Sequence, residues 1–357
     1  VERLGLNMKQ DNNFGMARLL AAMLVVYGHS FDLLRAPSGI VWLDAEISSF
    51  AVRIFFVISG YLICASWNKD PSLHRFFIKR ALRIFPALIM VVLLCVFVLG
   101  PVLTTVSLGA YFGDRDLYDY LWNVALEPHF VLPGVFASNP FPNAVNGSLW
   151  TLPAEFLMYL LIPIYATRDH RICRVFLFPA AFLGVLALGF YFTWLRPQAM
   201  QPVLYCTSLA QVARWAPYFL GGAAISIWRL ERHLRLDVAL LMILALTCVG
   251  PGFYEMRSVA IMLLTPYLVL AFCLPKSTPL PFWSADISYG VYLYAFPVQQ
   301  TVIQLSHGKI GPVAVCAVSL PIVFALGYLS WNLVERPMLT MKPWKERRIV
   351  GVATEMA

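Results

Sequence analysis

Residues 84–103 read IFPALIMVVLLCVFVLGPVL, a run of twenty positions without a charge. At 1.5 Å per residue such a run makes a helix about 30 Å long, the thickness of a bilayer's hydrocarbon core. Lys79-Arg80-Ala81-Leu82-Arg83 stands directly before it, a basic flank of the kind that marks a cytoplasmic helix end. The rest of the chain repeats the theme. Of its 357 residues, 60% belong to the AVILMFWYC set and 13% are charged. Soluble domains run near 45–50% apolar and about 25% charged, so a soluble globule could not cover this much apolar surface. The same composition excludes disorder, collagen-like repeats and a disulfide-stapled scaffold. An all-α polytopic membrane protein is expected.

Ten apolar stretches read as spans: 19–31, 54–68, 84–103, 156–167 (led in by 147–155), 175–195, 215–228, 238–251, 258–274, 287–306 and 310–334. About ten spans of ~20 residues would use up the chain. With the N-terminus inside, the outer connections hold Arg35, Arg53, Arg115, Arg196, Arg214, Arg257 and Lys309, leaving 20 of the 27 Lys and Arg on the inner side. That asymmetry explains the +8 net charge as topology and predicts N-in and C-in. The first apolar run reads as a retained helix, because Arg18 sits inside it and no small-x-small site follows His29. The seven Cys are an odd count, and five lie in apolar runs, so they read as small core residues. The connection 104–146, with Asp114, Asp116, Asp119, Glu127, Pro133, Pro140 and Pro142, reads as an outer lid or an ordered surface loop.

Ionisable groups inside spans need a cavity or a partner. Arg18 and His29 are 11 residues apart, three turns plus about 20°, so they share one stripe ~16 Å long. Asp32 can reach the same face. Glu155 enters its span from outside by about two turns, which puts it at the expected depth of His29. It could pair with Arg53, or it could orient the imidazole. Arg80 and Arg83 share a face at i, i+3 and suit phosphate better than ammonium groups do, although basic residues there also serve topology. His74, His129, His170, His233 and His307 show no metal spacing, and no metal site is expected. There is no P-loop, dinucleotide fingerprint or G-x-S-x-G elbow. Gly60 in Ser59-Gly60-Tyr61 reads as helix packing by a small residue.

Taken in order, these stretches resemble the acyltransferase family 3 membrane proteins, which acylate carbohydrates at or outside the bacterial inner membrane. Arg18 through His29 resembles the family's R-x10-H helix. Phe55-Phe-Val-Ile-Ser-Gly-Tyr-Leu-Ile63, Arg80-Ala-Leu-Arg83 and Gly147-Ser-Leu-Trp-Thr-Leu-Pro-Ala-Glu155 follow, then Ile287-Ser-Tyr-Gly-Val-Tyr-Leu293 and Val334-Glu-Arg-Pro337. The resemblance implies a transmembrane acyltransferase domain over residues 1–340 with a short basic cytoplasmic tail at 341–357. It also implies ten helices, an acyl-CoA donor from the cytoplasm, and a glycan hydroxyl as acceptor from the far side. The family's catalytic residues carry over to His29 and Glu155, and its donor-binding ones to Arg18, Arg80 and Arg83. Two positions depart from the pattern. Ala295 stands where many relatives have His, and Arg53 where relatives often have an acid. No soluble esterase-like domain is expected to be appended.

The expected function is therefore O-acylation, with acetyl the family-based choice, of a surface carbohydrate such as exopolysaccharide or lipopolysaccharide, in the bacterial inner membrane. Acyl-CoA would be a donor substrate, with no permanently bound cofactor and no nucleic-acid partner. The rival reading is a proton-coupled transporter or flippase built on His29, Glu155 and Arg53. Symmetric Gly/Pro-broken half-helices, which inverted repeats would show, are not visible in the sequence.

Overall fold

The computed structural model describes residues 12–37, 40–42, 45–167, 170–192, 203–205, 207–248, 254–274 and 286–341. Arg3, Lys9, Arg168, Arg196, Lys276 and the basic tail from Lys342 lie outside the described residues. The chain runs as α1 (Phe14–Leu33), α2 (Ile47–Lys69), α3 (Leu73–Leu94), α4 (Gly100–Leu103), α5 (Leu108–Gly113), α6 (Arg115–Leu121) and α7 (Thr151–Tyr165). It continues as α8 (Phe178–Phe190), α9 (Leu209–Ile227), α10 (Leu236–Thr247), α11 (Tyr254–Cys273), α12 (Ser288–Leu305), α13 (Pro312–Ser330) and α14 (Arg336–Thr340). Two two-residue antiparallel pairs, 41–42 with 45–46 and 203–204 with 207–208, complete the described elements.

Among the described residues, three rods contain a complete five-residue π-helical turn, at Cys95–Leu99, Cys173–Leu177 and Trp331–Glu335. Each turn is followed two residues later by a proline: Pro101, Pro179 and Pro337. Proline lacks the N–H that would bond back to i−4 and its ring crowds that carbonyl, so the ladder widens for one turn and then resumes. The third of these turns ends on Glu335, which is 2% exposed and belongs to the site described below.

Each of the ten expected stretches overlaps one helical rod. Among the described residues, seven rods are long and apolar enough to cross a membrane: Phe14–Leu33, Ile47–Lys69, Leu73–Leu103, Gly147–Tyr165, Cys173–Phe190, Met256–Cys273 and Pro312–Thr340. The expectation of ten is thus supported for seven. Helix α10 is apolar but has 12 residues. Helices α9 and α12 are long enough, and more polar. Exposed Phe97, Val98, Val102, Leu183, Leu241 and Leu333 give the bundle an apolar exterior, as a lipid-facing surface requires. The protein is a multi-pass, all-α membrane protein.

Helices α2 and α9 meet backbone to backbone. A Cβ on Gly60 would collide with the Phe219 carbonyl, and one on Gly222 with the Val57 carbonyl. Gly60 is therefore the packing residue its sequence context suggested. Helix α12 packs between α1 and α13, meeting α13 where Gly290 and Gly327 touch and α1 through a buried amide. Gln299 Nε2 donates to the Val26 carbonyl and to Ser30 Oγ, both at 2.7 Å.

The long connection between α4 and α7 holds α5 and α6, then turns into the bundle rather than resting on its surface. Asn139 donates to Gln300, whose own amide donates to the Phe141 and Ala144 carbonyls. Further in, fully buried Asn146 donates to the Leu293 carbonyl at 2.9 Å. Non-helical backbone is tolerated at membrane depth only when protein groups satisfy it, and these amides do so. Helix α7 consequently begins deep inside the bundle.

Candidate active site

A cavity of about 1310 Å³ opens between α1, α2, α3, α7 and α12. Helix α2 supplies its spine, with lining residues from Lys69 to Val52, about 26 Å of helix. Lys69, Asp70, Arg75 and Lys79 stand at one end. Arg75 and Lys79 both bond Asp70, and those hydrogen bonds hold its carboxyl below the usual range. At the other end are Val52, Phe55, Thr151 and Tyr292. Tyr292 and Thr151 share a hydroxyl–hydroxyl bond of 2.6 Å, and the Tyr292 ring meets Phe55 edge-on at 5.8 Å.

All three predicted donor-binding residues line this chamber. Arg18 Nη1 and Arg83 Nη2 each donate to Asp286 Oδ2 at 2.8 Å. Arg83 Nη1 lies 3.8 Å from Glu335 Oε2, and its guanidinium sits 5.8 Å from the Tyr289 ring centroid. Burial alone would raise the Asp286 pKa, but Arg83 and Arg18 outweigh it and hold the carboxyl well below its ordinary value. Arg80 differs from its neighbours. Its Nε is buried and hydrogen-bonds nothing among the described residues. A guanidinium N–H left without a partner and away from water is costly.

The two predicted catalytic residues are not brought together. His29 Nδ1 lies 3.3 Å from Asp32 Oδ2, one turn away on α1, and its ring meets Phe296 edge-on at 5.5 Å. Glu155 instead accepts from the hydroxyls of Ser59 and Tyr159 and lines the chamber, which His29 does not. Gly28, beside His29, packs on Ser48, while Glu155 bonds Ser59, 11 residues further along α2. The two levels are about 16 Å apart. Counting turns from the loop placed Glu155 too high, because residues 139–150 descend into the bundle before α7 starts. Nor does Glu155 pair with Arg53. That guanidinium lies over the Tyr218 ring at 5.3 Å, with Nε and Nη1 buried and unbonded among the described residues. Among those residues no group of three or more His, Cys, Asp and Glu gathers as a metal site would.

A family model described as an acyltransferase domain, the type 3 acyltransferases, matches residues 11–332. The chain belongs to that acyltransferase family. It is similar to the O-acetyl transferase of Shigella phage Sf6, 31% identical over 338 residues covering 93% of this chain and 97% of the phage protein. It is also similar to nodulation protein 10 of Rhizobium leguminosarum bv. viciae, 30% identical across 96% of this chain and 97% of that one. A shorter match reaches the peptidoglycan O-acetyltransferase OatA of Listeria monocytogenes, 28% identical over 40% of this chain and 22% of OatA. No solved structure matches. This family member is thus an enzyme, a transferase of acyl groups other than amino-acyl groups, and its relatives are O-acetyltransferases.

Several of the acyltransferase's site residues carried no obvious signal. Asp286 and Glu335 lie beside and within the Ile287–Leu293 and Val334–Pro337 motifs, and an excess of buried arginine could have pointed to them. Ser59 and Tyr159 look like ordinary helix residues until Glu155 is placed between them.

Proposed function

We propose that this acyltransferase moves an acetyl group from acetyl-CoA to a hydroxyl of a cell-surface carbohydrate, exopolysaccharide or lipopolysaccharide. The observation that carries the reading is the chamber with Arg18, Arg80 and Arg83 on its wall, ending one helical turn short of His29. The proposed arrangement has ten crossings in the inner membrane with both termini cytoplasmic, so the Arg75 and Lys79 end opens to the cytoplasm. Residues 1–340 then form the transferase domain and 341–357 a basic cytoplasmic tail.

The donor enters from that end. Its phosphates meet the guanidiniums, with Arg80 offering a free N–H. The pantetheine arm rises along the Ser59–Val52 face of α2, where Glu155, held by Ser59 and Tyr159, accepts from the amide N–H groups of the arm. The thioester arrives beneath His29 once the Phe55–Tyr292 contact parts. Asp32 accepts from Nδ1–H, so Nε2 carries the lone pair that a general base needs. The sugar oxygen attacks the thioester carbonyl while its proton passes to Nε2. The C–S bond then breaks and the imidazolium returns the proton to the CoA thiolate. General base action typically contributes ~10²–10⁴-fold, and positioning of donor and acceptor supplies the remainder.

The test is the O-acyl ester content of surface glycans by NMR, in cells lacking the gene and in cells restored with wild type or His29→Ala. Ester should return with wild type alone, at equal membrane levels of both proteins. Ester restored by His29→Ala would end the proposal.

A further inference from the structure

Four arginines line the chamber, and two of them, Arg18 and Arg83, share a single anchor. Arg18 comes from α1 and Arg83 from α3, yet both donate to Asp286 Oδ2, while Ser288 Oγ donates to Oδ1 at 2.7 Å. Arg18, Arg83 and Ser288 line the chamber, whereas Asp286 and Glu335 do not. Glu335 is buried, and Asp286, off the chamber wall, keeps a side-chain exposure of 22%, like the two arginines it joins. Each guanidinium has five N–H donors in a fixed fork. Bonding to Asp286 leaves the remaining donors of both forks for an anion on the chamber side.

A carboxylate between two arginines could act in either of two ways. It could stand in for the ligand's own anion and have to leave before the ligand binds. It could instead stay in place and hold both guanidiniums ready. The two roles predict opposite signs when the charge is removed: loss of a stand-in tightens anion binding, and loss of a holder weakens it.

We propose that Asp286 is a positioning residue, fixing Arg18 and Arg83 as one preorganised site for the phosphates of the donor. Its bonds select this role over the competing one, since Arg18 and Arg83 on one oxygen and Ser288 on the other hold the carboxylate in place. Without the carboxylate, two like charges face each other across the gap and two long side chains spread over their rotamers. The donor would then have to order them on arrival. The proposal rests on the donor reading above, and its test keeps the two apart.

Binding of CoA to the full-length protein in nanodiscs is measured by calorimetry for wild type, Asp286→Asn and Asp286→Glu. In parallel, the ligand-free proteins are treated with phenylglyoxal, and modification of each arginine is followed by peptide mass spectrometry. Asp286→Asn should weaken CoA binding at least tenfold, and Asp286→Glu should recover most of it. Arg18 and Arg83 should react several-fold faster in Asp286→Asn, with Arg80 unchanged. CoA binding that is unchanged or tighter in Asp286→Asn overturns the proposal, and so do unchanged rates at Arg18 and Arg83. A wild type that binds no CoA, with the labelling change intact, defeats the donor reading while supporting the tie itself. If Asp286→Asn does not fold, Asp286→Ser takes its place with the same two readouts: weaker CoA binding with faster labelling of Arg18 and Arg83 supports the proposal, and wild-type affinity or labelling overturns it.

Discussion

Replacing Asp32 by Asn separates the structure's account of His29 from the one the sequence invited. In wild type the Asp32 carboxylate lies 3.3 Å from Nδ1 and its side chain is 40% exposed. A well-made hydrogen bond to a charged group contributes ~1.5–3 kcal/mol. The long distance and the solvent reduce that to about 1–2 kcal/mol here. Asparagine keeps an acceptor oxygen but loses the charge that stabilises the imidazolium formed during transfer. At 1.36 kcal/mol per decade, kcat should fall ~5–30-fold, well short of the ~10⁴ lost when a fully buried triad aspartate is changed to asparagine. The assay is the initial rate of O-acyl transfer by purified protein at saturating donor, with the acceptor varied. A kcat within twofold of wild type would refute the role of Asp32, and a large kcat loss confined to Glu155→Gln would return Glu155 to the imidazole.

Glu155→Gln should raise the donor KM several-fold and leave the acceptor KM unchanged, since Glu155 faces the chamber about 16 Å from His29; steady-state kinetics with each substrate varied checks this. Arg80→Ala removes the one chamber guanidinium with an unbonded buried N–H and should raise the donor KM ~10–100-fold, read in the same assay. Gly60→Ala forces α2 and α9 apart and should cost ~1–3 kcal/mol in detergent melting, whereas Gly184→Ala, whose added Cβ meets open space, should stay within about 0.5 kcal/mol. Asp286 has a depressed pKa in the folded protein, so its stabilisation is present above about pH 4 and is lost as pH falls further. Wild type should therefore lose more melting temperature between pH 5 and pH 3 than Asp286→Asn does.

Much of the fold was legible because lipid leaves a chain few choices. Apolar runs located the ten rods they overlap, though not the short helices α5 and α6, and the 11-residue spacing placed Arg18 and His29 on one continuous helix. Arg18, Arg80 and Arg83 were found because cations in apolar surroundings are conspicuous. What escaped was depth and pairing. The descent of residues 139–150 is stabilised by Asn139, Asn146 and Gln300, amides whose partners lie far away in sequence. Without that descent, Glu155 is counted from the wrong starting level. Asp286 and Glu335 escaped because each is one carboxylate, beside one motif or within another, meaningful only once α3 brings Arg83 to both. The π turns do have a local cause, in Pro101, Pro179 and Pro337, yet a proline alone does not say whether a helix kinks, stops or widens.

The most direct measurement uses purified protein oriented in liposomes. Radiolabelled acetyl-CoA is supplied at the Arg75 and Lys79 end and a glycan acceptor at the opposite end, for wild type and His29→Ala. The account predicts that free CoA thiol appears on the donor side in step with labelled O-ester on the glycan, and that both disappear in His29→Ala. Ester formation that persists in His29→Ala, or that does not consume acetyl-CoA, would contradict it.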